Sequence, residues 1–204
     1  MGETLNVTSS AEKKSLTLQK ALSLFLAFGI HAVSMKDISD TVSISKKTLY
    51  LFFSSKEVLI KACVKKLIDQ HLKEISLIEN RAISSIEKVF LIYKSSLRHI
   101  ANQNLAFYND MKRDYPDIYS FYINGYGDFL NNKIFILLSE GQRNNEILAE
   151  IDLDVFCQTI FFKLKEFFSN KYRHQKNRQE RILDCAILIS LKRILKKPDL
   201  INWK

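Results

Sequence analysis

Apolar residues in the first third of the chain recur at the spacing of a helix, not of a strand. Leu18, Ala21, Leu22, Phe25 and Phe28 share one face, which predicts a helix over residues 10–28 behind a polar, disordered segment 1–9. Gly29 follows at once, where a helix end favours a residue that accepts positive φ. A short second helix is predicted over 35–42, with Ser34 as N-cap and Asp37 in its first turn. Only Ser43 and Ile44 separate it from the next cap, Ser45, and from a third helix over 46–52. Ser54 or Ser55 then caps a long fourth helix, from Lys56 to about residue 78.

The same periodicity continues to the end. It predicts helices near 84–102, 104–113, 116–140, 152–171 and 178–196. Pro116 stands in the first turn of one of them, Gly141 is read as its stop, and Asp152 and Asp154 open the next. Gly125 and Gly127 interrupt a helical pattern and predict a kink or break there. Five glycines and two prolines in 204 residues are too few for the tight turns of a sandwich or barrel, so the fold class is all-α. At 47% hydrophobic residues the chain has ample material for a core.

Charge is unevenly spread. The formal net charge is +9; residues 1–61 carry 8 lysines against 5 acids, 62–162 carry 11 basic residues against 13 acids, and 163–204 carry 12 against 4. Basic ends around a neutral middle point towards a polyanionic partner, although a basic terminus is more often a solvated face. Lys13, Lys14 and Lys20 precede the apolar run 21–30 as in an export signal, but the run is too short to span a bilayer. No other stretch is long and apolar enough, so a cytoplasmic protein without a membrane partner is expected. Cys63, Cys157 and Cys185 lack metal or disulfide spacing, and His31, His71, His99 and His174 form no ligand pair. There is no Gly-rich phosphate loop, nucleophile elbow or paired-carboxylate motif. No metal, no cofactor, no catalytic residue and no enzyme is therefore expected.

The pair of short helices joined by a very short turn forms a helix-turn-helix pattern. Ile38, Ile44 and Leu49 can lock the two at a steep angle. That leaves Lys46, Lys47, Thr48 and Tyr50 to face outward near the positive pole of the third helix, a setting suited to phosphate. The residues carry more than the pattern. Ala21, Leu24-Phe25, Gly29, Ser34, Asp37-Ile38 and Ser45-Lys46 are followed by Thr48-Leu49-Tyr50, Phe53 and Ser55-Lys56-Glu57, then Leu59. In order and spacing this run resembles the DNA-binding domain of the TetR (tetracycline repressor) family.

The resemblance implies a three-helix DNA-binding domain over 1–58, joined by a long helix to a larger helical effector-binding and dimerisation domain over 59–204. Residues 46–52 would be the recognition helix. Thr48, Tyr50 and Lys56 would contact phosphates, Lys47 would read bases, and Ser34, Lys36, Ser45, Lys46 and Leu51 would complete the DNA surface. The partners implied are a double-stranded operator, a small apolar or amphipathic effector, and a second copy of the chain. The copies would pair through the helices near 152–171 and 178–196. Apolar spacing supports that seam, with Phe156, Ile160, Leu164, Phe167 and Phe168 on one helix and Ile182, Ala186, Ile189 and Ile194 on the other.

The chain departs from the family pattern in several places. Ser43 stands where the family usually has the turn glycine, Ser39 and Val42 replace alanines, and Phe52 replaces Tyr or His. Residues 1–61 contain no arginine, the commonest reader of guanine. Tyr93, Phe107, Tyr122, Tyr126, Phe129 and Phe161 are candidates to line an effector cavity within 85–170, against the plainer reading that aromatics at helical spacing form core. The function expected is a sequence-specific transcriptional repressor released by its effector. The alternative is a non-specific, nucleoid-associated DNA-binding protein.

Overall fold

The computed structural model describes residues 2–101, 103–169 and 176–198, and among these the chain is all helix, without a strand. The elements are α1 (Gly2–Phe28), α2 (Met35–Thr41), α3 (Lys46–Phe52), α4 (Lys56–Glu79), α5 (Ser85–Ala101), α6 (Leu105–Asp114) and α7 (Pro116–Ser120). A π-helical turn (Phe121–Gly125), α8 (Tyr126–Arg143), α9 (Leu153–Ser169) and α10 (Lys176–Ile194) follow. The predicted helices appear in the expected order, but the one predicted over 116–140 is divided into α7, the π-helical turn and α8. Their ends differ where one residue's chemistry outweighs the pattern.

The first helix starts at Gly2 instead of residue 10. Nothing in 2–9 breaks a helix, and each residue added to an existing nucleus gains a backbone hydrogen bond without a new nucleation cost. Gly141 does not stop α8, which runs on to Arg143. Asn145 takes the left-handed conformation there (φ 65), and its N–H donates to Gln142 O at 3.1 Å while Glu146 N–H donates to Gly141 O at 2.9 Å. These are the two bonds of a Schellman motif, closed by the non-glycine residue best suited to that conformation. Gly141 is instead a packing residue: a Cβ there would lie 3.1 Å from Ile86 Cδ1. The interruption expected at Gly125 and Gly127 is a π turn ending at Gly125, not a break in the chain's helical course.

The chain divides into two compact units, Met1–Asp69 with Gln103–Ser120, and Gln70–Asn102 with Phe121–Lys204. This corrects the boundary expected at residue 58. Helical periodicity shows which face of a segment is buried but not what buries it. In the first unit, Phe25, Ile30, Ile38, Leu49 and Leu59 are buried together with Phe107 and Met111 of α6. Asn104 fastens this returning segment. Its N–H donates to Leu26 O at 3.2 Å, its side-chain amide donates to Ala27 O at 2.7 Å, and its side-chain oxygen caps α6 by accepting from Ala106 N–H at 2.9 Å.

The core of the second unit joins Ile75 and Ile78 of α4 and Ile86, Val89, Ile92 and Tyr93 of α5. Leu137 and Leu138 of α8, Cys157 and Ile160 of α9, and Ile187, Leu191 and Ile194 of α10 complete it. A single antiparallel bridge, Ile147 to Leu195, ties the segment before α9 to the end of α10.

Candidate nucleic-acid interface

The two short helices α2 and α3 are each fixed at their start by a side chain. Ser34 Oγ accepts from Asp37 N–H at 3.2 Å, and the Asp37 carboxylate accepts from Ser34 N–H at 2.8 Å, a reciprocal capping box. The Ser34 side-chain and backbone hydrogen bonds, in that order, hold the Asp37 carboxyl below the usual carboxylate range. Ser45 Oγ caps α3 by accepting from Thr48 N–H at 3.0 Å and lies 2.8 Å from Thr48 Oγ1. Ser55, not Ser54, caps α4, accepting from Val58 N–H at 3.1 Å.

Ser43 between α2 and α3 has φ 56, the left-handed conformation that the family glycine would adopt. Ser43 N–H donates to Asp40 O at 3.2 Å and Ile44 N–H to Ser39 O at 3.0 Å, so the turn keeps its Schellman bonding despite the Cβ. The substitution strains the turn without altering it, at about 1 kcal/mol. Ile38 and Leu49, both fully buried, pin α2 to α3.

This anchoring leaves one face of α3 in solvent. Lys46 and Lys47 are exposed, as are Ser45 before them and Lys36 on α2, while Thr48 is half-buried. Tyr50 is 47% exposed and Leu51 76%, so both are free to meet a partner. Exposed cations at a helix start, a phenol and a bare apolar side chain are together what a major groove engages: phosphate oxygens, base edges and thymine methyls.

Lys56 departs from the expectation. Its Nζ donates to Ile30 O at 2.6 Å and lies 5.9 Å from the centre of the Phe25 ring, so the ammonium is drawn into the unit. Burial pushes it below the usual lysine range, opposed by Asp110, Asp37 and Asp114. In this arrangement it braces the bend between α1 and α2. The same bend is held from the other side by the largely buried Asp110, whose carboxylate accepts from His31 N–H at 2.7 Å and from Arg113 at 3.2 Å. Sequence reasoning missed Asp110. The available signal was an acid on the buried stripe of α6, among Phe107, Tyr108 and Met111.

The predicted pocket residues are only partly brought together. Tyr122, Tyr126 and Phe129 form a stacked ladder, with ring centres 6.3 and 6.5 Å apart, and Phe161 packs where a Cβ on Gly127 would lie 2.7 Å from its ring. Tyr93 is part of the core of the second unit. Phe107 belongs to the first unit, against Tyr108, whereas the ladder belongs to the second. Missed altogether was the neighbour of the ladder. Tyr126 Oη lies 2.7 Å from His71 Nδ1, and the His71 ring stacks on His99 at 4.6 Å. Burial, then the His99 and Arg98 charges, push His71 down to about 3, and burial likewise lowers His99.

Residues 18–63, from within α1 to within α4, match the model of the bacterial regulatory proteins of the tetR family. That segment is of the TetR type. Like the proteins it resembles, the chain is a DNA-binding transcriptional regulator. The HTH-type transcriptional repressor KstR2 of Mycolicibacterium smegmatis is 24% identical over 153 residues, covering 74% of this chain and 75% of that protein. The HTH-type transcriptional regulator RutR of Escherichia coli is 37% identical over 60 residues, covering 29% of this chain and 28% of that protein. Similarity of fold extends beyond that segment. A transcriptional regulator from Cytophaga hutchinsonii superposes with a TM-score of 0.73 over 89% of this chain and 98% of its own, at 16% identity. Among the described residues, no helix of this regulator is long and apolar enough to cross a membrane.

Proposed function

We propose that this regulator is a cytoplasmic homodimeric repressor that holds a specific operator through α3 and releases it on binding a small amphipathic effector. The observation that carries the reading is the anchoring of α3 by Ile38 and Leu49, which leaves Lys46, Lys47, Tyr50 and Leu51 in solvent. Lys47 reads base edges, Lys46, Tyr50 and Thr48 hold phosphates, and Ser34, Lys36 and Ser45 flank them. Leu51 supplies an apolar contact. Lys56 is withdrawn from this set. The name of the Mycolicibacterium relative supports repression over activation.

Exposure supports pairing of two copies, along a seam that differs from the expected one. Val155 on α9 is 58% exposed and Phe162 66%, at a spacing that puts both on one face, and Ile189 on α10 is 52% exposed. Ile160 and Ile194, expected in the seam, are buried in the core and unavailable. The side chains of Leu164, Phe167, Phe168 and Ile182 lie outside the described residues.

Selection of bound fragments from random duplex DNA by the purified full-length protein tests the reading. An inverted repeat bound about 10³-fold or more above bulk DNA at physiological salt is expected. A ratio near one would favour the non-specific, nucleoid-associated alternative.

A further inference from the structure

The second unit contains a solvent-open cavity of about 500 Å³ between the end of α4 and the middle of α5. Its size falls within the roughly 300–1,000 Å³ of small-molecule sites. It has two kinds of wall. Leu77, Ile78 and Leu91 give an apolar side, and Leu77 is 70% exposed although it belongs to a helix whose neighbouring turn builds the core. Arg81, Lys94 and Arg98 give a cationic side. Among the described residues none of these three forms an ion pair. The single acid in the lining, Glu74, has one carboxylate oxygen engaged by Ser95 Oγ at 2.7 Å. The inner end is the edge of the stacked imidazole pair, with His99 in the lining and His71 behind it.

Three cations around one cavity repel one another, and the one acid of the lining, Glu74, together with the Phe90 ring 5.7 Å from Lys94 Nζ, offsets that repulsion only in part. An anion placed among them relieves it, while the leucine and isoleucine side rewards an apolar body rather than a small inorganic ion. A single acid among three cations leaves the lining net cationic, which suits one anionic group. We propose that this cavity binds a monoanionic amphiphile, a carboxylate on an apolar chain or ring. Its carboxylate is held by Arg98 and Lys94, with Arg81 at the rim, and its apolar part lies on Leu77 and Leu91. The assignment rests on the effector reading above, and it names the chemical class that such an effector would have.

Calorimetric titration of the full-length protein without DNA tests it, so the outcome does not depend on the operator reading. The probes are decanoate and naphthaleneacetate, with decanol and decyltrimethylammonium as neutral and cationic counterparts. At least one carboxylate should bind, and its counterparts should bind at least about tenfold more weakly. Arg98→Gln with Lys94→Gln should weaken carboxylate binding about tenfold or more, and Arg98→Lys should restore much of it. Leu77→Glu changes an exposed position, adds an anion at the mouth and should also abolish binding, which keeps the test informative if the double variant folds poorly. The proposal is overturned if neither carboxylate binds below about 1 mM, if decanol binds as tightly as decanoate, or if both Leu77→Glu and the double variant bind like the wild type. Failure here alongside a selected operator would leave DNA recognition intact and remove only this site.

Discussion

The two units differ in their most prominent polar groups, although the first also buries Asp110 and the second also caps α5 through Ser84. In the first, Ser34, Ser45, Ser55 and Asn104 stand at helix ends, and each satisfies a backbone N–H two or three residues ahead. In the second, polar groups enter the interior: His71 is buried between His99, Ser96 and Tyr126, and Ser96 and Ser95 are buried beside it. An end cap fixes where a short helix begins and so fixes which residues face outward. A buried network fixes little locally, but it couples side chains on α4, α5 and α8 and makes the unit responsive to the charge on any one of them. A surface that must present the same residues to DNA every time suits the first kind of construction. A unit that must respond to a small molecule suits the second.

The contrast breaks most readily where the first unit has no tolerance. Gly29 has φ 88, and a Cβ there would lie 2.7 Å from Ala106 Cβ and 3.0 Å from Asp110 Oδ2. Gly29→Ala combines left-handed strain with an overlap against backbone-anchored atoms and should cost about 2–5 kcal/mol in denaturant unfolding. A loss below about 1 kcal/mol would show that the bend relaxes more freely than caps and close packing suggest.

The two lysines sharpen the comparison within the first unit. Lys47→Ala should weaken operator binding by about 1–3 kcal/mol per half-site, with stability unchanged. Lys56→Ala should do the reverse. Losing the Ile30 bond should destabilise the unit by about 1–2 kcal/mol, and the salt dependence of DNA binding should keep its slope. A shallower slope in Lys56→Ala would return Lys56 to the phosphate contacts.

In the second unit the comparison turns on pH. His71 is held neutral, down to about 3 against its usual 6.5, so the unfolded chain takes up a proton there before the folded one does. Stability linked to His71 is complete above pH 6.5 and is lost as pH falls towards 3, reaching a loss of about 2 kcal/mol near pH 5. Melting curves at pH 7.5 and 5 should show this loss, and His71→Gln should reduce it. An equal acid sensitivity in the variant would place the effect elsewhere. The smallest effect belongs to the turn: Ser43→Gly relieves positive φ and should stabilise the first unit by several tenths to about 1 kcal/mol.

The DNA-reading half was legible for the reason these variants probe. Ser34, Asp37, Ser45 and Ser55 act within a few residues of themselves, and Ser43 announced its strain by the glycine it replaces. What escaped was non-local. Lys56 has the position of a surface lysine, and only the three-dimensional proximity of Ile30 and Phe25 turns it inward. His71 and His99, 28 residues apart, show no spacing that predicts stacking. Phe107 shared the aromatic periodicity of Tyr122 and Tyr126, yet periodicity could not assign it to a different unit.

The return of residues 103–120 to the first unit has a consequence for how the molecule can be taken apart. Asn104 spans 77 residues of sequence to reach Ala27, and Asp110 spans 79 to reach His31. A fragment cut at residue 58 or 69 would contain every side chain proposed to meet DNA, yet Ala27, Gly29 and His31 would lose Asn104, Ala106 and Asp110. The helix-turn-helix is built locally, but the bend that leads into it is braced only once the ribosome has made residues 104–110, so a shorter nascent chain offers the reader without its support.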